Sequence, residues 1–212
     1  MAWLISQNPH ALPNWPHIRA KPKITSWEEC AAYRDKHGFI PDGINAGGYE
    51  IEDRFWPVSG QFEGEIECIP PLLGANSFYL VPERWRDVIE EFEPGIHQFK
   101  HIPLTLKDGS LLEERFYAMN IRQALTDVAD RERSTAPVKE FVNRPNRPYV
   151  FANTADRPTV KVYFRKEKVS GYHLWCPREI LIYHVAMSNE LFARIAQMGG
   201  MDLLDTLQIE EV

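Results

Sequence analysis

The sequence has 212 residues, 44% hydrophobic and 25% charged, with a formal net charge of -6. That is the composition of an ordinary soluble globular protein, long enough to bury a real core as one large domain or two closely packed smaller ones. The acidic balance excludes general binding to DNA or RNA, which needs a basic face to displace counterions; a basic protein partner fits it.

The first residues, MAWLISQNPH, carry no basic segment and no long apolar run, so no signal peptide is expected. No stretch approaches the roughly 18 apolar residues that span a membrane. A cytoplasmic location without a membrane partner follows as the expectation. Cys30, Cys68 and Cys176 are odd in number and form no CxxC, so neither a disulfide framework nor a zinc site is expected. Residues 7–23 contain four prolines and read as an extended arm. Ser26 with Glu29 three residues on forms a capping box, predicting a helix over about 27–36 that ends at Gly38. Residues 38–48 carry turn signals, and 49–69 read as strand, turn, strand. Within that last run Glu63, Glu65 and Glu67 alternate with Phe62, Ile66 and Cys68, which predicts three carboxylates on one strand face.

Residues 78–104 form a clear unit. SFYLV reads as a strand and Pro82 suits the first turn of a helix. Trp85, Val88, Ile89 and Phe92 then make one apolar stripe at helical spacing, and Pro94-Gly95 ends it. IHQFKHIPL returns as a strand. Residues 111–128 read as a strand leading into a short helix near Ile121–Asp127, and 129–149, charged and proline-rich, as a mobile loop or insertion. TVKVYF, the segment after SGYHLW, EILIYHV and DTLQIEEV read as strands. Ser188 caps a helix with a Leu191, Phe192, Ile195 stripe, which Gly199-Gly200 stops. The 78–104 and 180–209 segments echo each other, Trp85 falling on Leu191 and Ile89 on Ile195 at an offset of 106. The fold expected is α+β, a mixed and largely antiparallel sheet with short helices packed on it in two similar strand–helix–strand units. The division expected is an arm and β-rich subdomain over 1–75 and an α+β domain over 76–212.

The run YLVPERWRDVIEEFEPGIHQFKHIPL resembles the signature of the eleventh immunity-protein family, found beside polymorphic toxins of bacteria. The P-G-x-H-Q-F turn is Pro94, Gly95, His97, Gln98 and Phe99 here. A later G-x-H-L-W element is Gly171, His173, Leu174 and Trp175, and IYHVAMSNELFARIAQMGG supplies a closing strand–helix unit. The resemblance covers roughly 76–209. It implies a protein that binds and neutralises a cognate toxin delivered by a contact-dependent or type VI system.

Each chemistry-bearing residue has two readings. On a strand, His97 and His101 would lie about 13 Å apart, too far to share one metal; no metal and no cofactor is expected. His97 instead suits a helix-to-strand handover, bonding the carbonyls left open at the helix end. His173 lacks any GxSxG or HExxH context and reads as a packed histidine beside Trp175. Glu63, Glu65 and Glu67 are candidate contacts for a basic toxin, as are Glu90 and Glu93 at the end of the first apolar helix, where Glu91 poses the same choice. Phe55, Trp56 and Trp15 are candidate anchors beside prolines. Arg131, Arg133, Lys139, Arg144 and Arg147 read as a solvated loop. The leading functional expectation is stoichiometric occlusion of a toxin without chemistry. The alternatives are a hydrolase reversing a toxin's modification, using His173, His97 and Glu63–Glu67 as acid/base groups, and a non-neutralising adaptor of a secretion locus.

Overall fold

The computed structural model describes residues 1–21, 27–38, 48–75, 77–136, 138–141, 144–151, 160–181 and 185–212. Its first part runs through β1 (Ala2–Gln7), β2 (Ile18–Lys21), α1 (Trp27–His37), β3 (Ser59–Phe62), β4 (Leu73–Ala75), β5 (Phe78–Pro82), α2 (Glu83–Phe92), β6 (Gln98–Ile102), β7 (Leu104–Thr105) and β8 (Phe116–Asn120). There follow β9 (Ala124–Leu125), β10 (Val138–Phe141), β11 (Arg144–Phe151), β12 (Tyr163–Phe164), α3 (Lys166–Val169), β13 (Leu174–Pro177), β14 (Ile180–Leu181), β15 (Val185–Ser188), α4 (Asn189–Ala196) and β16 (Leu204–Glu211).

The architecture is α+β, with mixed and mostly antiparallel sheets. One sheet has the order β12-β16-β1-β15-β13-β9 and another β4-β5-β8-β6. Two three-stranded sheets, β2-β3-β7 and β10-β11-β14, complete it among the described residues. The 78–104 unit forms as its spacing predicts, except that Pro82 closes β5 and stands at the N-cap of α2 rather than in its first turn. Ser188 caps α4 by accepting from the Leu191 N–H at 3.2 Å.

The strands β5 and β15, inside the two larger sheets, are buried on both faces, which explains their apolar runs. In β5, Tyr79 and Val81 point into a central core, while Phe78 and Leu80 point into a second core with Phe55, Trp56, Phe62 and Phe116. In β15, Val185 and Met187 join the central core, while Ala186 joins a third with Leu4, Phe164 and Trp175. The central core holds the echoed helices: Trp85, Ile89, Leu191 and Ile195 are all fully buried in it, and α2 packs on α4.

Several expectations are corrected. The N-terminal segment is a central strand: β1 lies between β15 and β16, pairing Ala2 with both Ser188 and Ile209. Residues 121–127 form no helix. The strand β9 pairs in parallel with β13, and the Glu179 carboxylate accepts the N–H groups of Asp127 and Ala129, both at 2.7 Å, so the backbone is satisfied without helical bonds. The expected loop at 129–149 contains the β10–β11 hairpin. The acidic run 63–67 lies beyond β3: pairing with β2 ends at Ile18 and Phe62, Gly64 follows in a bend, and Cys68 is exposed rather than facing the core. Ser26 and most of the 38–48 loop lie outside the described residues.

Candidate functional site

The first family-like motif is built where α2 stops. The Glu93 N–H closes the last turn on Ile89 O at 2.9 Å, and Gly95 takes φ +67°, a left-handed conformation that glycine adopts freely. The Glu90 carboxylate accepts the Gly95 N–H at 3.0 Å and so fixes the turn. The reversal lays His97 back over Glu93. Imidazole Nε2 stands 2.7 Å from Glu93 Oε2, and both side chains are buried.

The second motif meets the same carboxylate. Gly171, at φ +86°, turns the chain into β13, and the His173 N–H donates to Glu93 Oε1 at 2.7 Å. The Leu174 N–H donates to Oε2 at 3.0 Å. Burial pushes the Glu93 carboxyl up. The hydrogen bonds from His97, the His173 backbone and Gln123 outweigh that, and hold it below the usual carboxylate range. His97 Nδ1 accepts the Arg122 N–H at 3.2 Å, so Nε2 carries the ring proton and donates it to Glu93. The arrangement is a buried carboxylate saturated with donors from two distant parts of the chain.

The rest of the motif holds the segment before β3. Gln98 Oε1 accepts the Ile51 N–H and Asn120 Nδ2, each at 2.8 Å, while Gln98 Nε2 donates to Ile51 O at 3.3 Å. Asn120 Nδ2 also donates to Tyr49 O at 2.9 Å. Phe99 packs against the central core, and Pro94 and Gly95 are exposed at the turn. His173 pairs through Nδ1 with Ser188 Oγ at 2.9 Å and meets the Phe92 ring edge-on at 4.8 Å. Trp175 is buried against Phe164.

The structure thus places the expected site residues in two groups. Glu93, Phe55 and Trp56 are internal, which corrects their reading as partner contacts: a buried side chain offers no surface. Glu93 is spent on the motif, and Trp56 Nε1 donates to Ile51 O at 3.2 Å beneath Phe78. Phe55 lies under the Arg54 guanidinium at 4.6 Å. Glu63, Glu65 and Glu67 are exposed, and Glu90 is half-buried. Arg131 and Arg133 are exposed in bends. His97 bonds a carboxylate and a backbone N–H, not the open helix carbonyls. His101, exposed on β6, lies 5.5 Å from the Tyr117 ring. The role of Glu93 was missed; its signal is a glutamate directly before P-G-x-H, at the spacing of four that returns the histidine to it. Among the described residues no group of three or more His, Cys, Asp or Glu is placed to hold a metal ion.

Two motifs thus converge on one buried acid in an α+β frame with paired strand–helix units. Residues 19–206 match the Immunity protein family (Imm11), and the chain belongs to that family. No curated protein matches the sequence. No helix among the described residues is long and apolar enough to cross a membrane.

Proposed function

We propose that the protein binds and neutralises a cognate bacterial toxin in the cytoplasm, by stoichiometric occlusion rather than by chemistry of its own. The toxin belongs to a polymorphic system delivered by contact or by type VI secretion. Family membership carries this reading. It is supported by the use made of the motif histidines: His97 bonds within the fold on both ring nitrogens, and His173 is tied to Ser188. The net charge of -6 favours a basic toxin surface, because opposite charge speeds association and orients docking. An interface of this kind buries roughly 1,600 Å² in total.

Among the described residues, the His173–Ser188 pair is the feature that favours an enzyme. Its geometry resembles a base beside a nucleophile, but the same Ser188 oxygen caps α4, and Ser188 is buried. Occlusion is therefore the better reading. The test is titration of the toxin domain encoded beside this gene. Occlusion predicts full protection only at one protein per toxin and a stable complex on size exclusion. Protection at substoichiometric levels, or no complex, overturns it.

A further inference from the structure

Two concavities lie on either side of the short ridge Gly64–Ile66. The larger, about 570 Å³, is walled by Pro13, Trp15 and Pro16 and floored by Phe62 and Ile66. The smaller, about 370 Å³, runs between the ridge and Leu106–Asp108. The walls are fixed: the prolines restrict the arm's φ angles, and the Glu63 N–H donates to His17 O at 3.0 Å, carrying the β2–β3 pairing one step further. Trp15 is half-buried, and its indole N–H has no partner among the described residues.

The lining carries Glu63, Glu65 and Asp108 against Lys107, with Arg19 paired to Glu63, so it is acidic on balance. Asp108 accepts the Ser110 N–H at 2.9 Å and the Ser110 hydroxyl at 2.6 Å, but Glu63 and Glu65 are held only by surface pairs. Glu65 is 88% exposed and meets Lys107 only at 3.4 Å, a surface pair of the kind that contributes little. Arg19 meets Glu63 Oε1, at 3.0 Å from Nε and 2.9 Å from Nη2, and both side chains are exposed. An incoming cation can replace Lys107 at small cost, while an apolar side chain fills the pocket beside Trp15, the kind of residue that anchors interfaces.

We propose that this double groove is the toxin-docking surface, and that its occupant is an extended basic segment of the toxin bearing an apolar side chain for the Trp15 pocket. The proposal rests on the neutralisation reading above. It is tested by surface plasmon resonance, which reads both rate constants, of the full chain against the neighbouring toxin domain carrying an inactivated active site. The Glu63→Lys/Glu65→Lys double variant is expected to bind at least tenfold more weakly, with the loss in association rate. Trp15→Ala is expected to lose at least tenfold through faster dissociation. Glu132→Lys/Glu167→Lys, two exposed reversals outside the groove lining that change the net charge by the same amount, is expected to bind as the wild type does. The groove double variant alters only exposed side chains, so it stays folded even if Trp15→Ala does not. Wild-type affinity in the groove double variant overturns the groove while leaving neutralisation standing. A wild-type protein that does not bind the toxin domain overturns both.

Discussion

Glu93 and His97 face each other at 2.7 Å across the turn that ends α2, and nearly all of what surrounds them comes from elsewhere in the chain. Arg122 supplies the N–H to the far side of the imidazole, and His173 and Leu174 supply N–H groups to the carboxylate. The pair therefore joins the first strand–helix unit to the second.

Removing either partner should be costly. Glu93→Gln turns an amide donor toward groups that already donate, and His97→Ala leaves the Arg122 N–H and one carboxylate oxygen short of a partner. Each is expected to lose about 2–4 kcal/mol of stability. Urea unfolding followed by tryptophan fluorescence measures this; a loss within about 0.5 kcal/mol, the usual effect of a surface substitution, contradicts the role given to the pair.

Acid should act through the same carboxylate. Its folded-state pKa lies below its unfolded value, so its contribution is fully present above the ordinary glutamate range near about 4.3 and is lost as pH falls through the depressed value. The unfolding midpoint of the wild type should fall steeply as pH is lowered below about 4.3. In Glu93→Gln that part of the slope should be missing, and parallel curves for the two proteins would refute the assignment.

Two glycines with similar backbone angles should respond differently to alanine. Gly48 has φ +89°, and a Cβ there would stand 2.6 Å from Arg122 O, a backbone atom unable to move aside. Gly171 has φ +86° with open space around it. Gly171→Ala should cost about 1 kcal/mol from left-handed strain alone, and Gly48→Ala clearly more. Thermal melts of the two variants rank them, and the reverse order would be decisive against this packing.

Trp85 is fully buried, and its indole N–H has no partner among the described residues. Trp85→Phe discards the unpaired donor and leaves a small void, so the two effects oppose each other. A net change under about 1.5 kcal/mol is expected, against about 3–5 kcal/mol for Trp85→Ala. Equal losses in the two variants would mean that the indole nitrogen does have a partner in solution.

Gln98 should control local opening rather than global stability. Gln98→Ala removes the side-chain bonds to both polar groups of the Ile51 backbone. Hydrogen exchange at the Ile51 amide should accelerate about tenfold or more, as expected when a local opening free energy falls by about 1.4 kcal/mol or more. Unchanged exchange there would show that other contacts hold the segment.

What could be read from the sequence was local. The 3.6-residue stripe of Trp85, Val88, Ile89 and Phe92, the Ser188 cap and the glycine stops at Gly38 and Gly199 need only neighbouring residues, and all of them formed. The failures were decided at long range. β1 is a strand because β15 and β16 flank it, and nothing within MAWLISQ announces partners so far along the chain. Residues 121–127 carry a helix-like pattern that the bonds from β13 and Glu179 override. The alternation at 63–68 has a strand's period, but its pairing with the β2 side stops at the Glu63 N–H bond to His17 O. Glu93 sits in an acidic helix end that looks solvated, and only the fold brings His173 and Leu174 to it.

The placement of β1 sets an order of events. Its neighbours on either side come from the far end of the chain, Ala2 lying opposite both Ser188 and Ile209. During synthesis residues 2–7 must wait for these partners until residues 185–211 have left the ribosome. Contacts so remote in sequence slow folding, so a newly made molecule passes through an interval in which its largest sheet is still open along the middle.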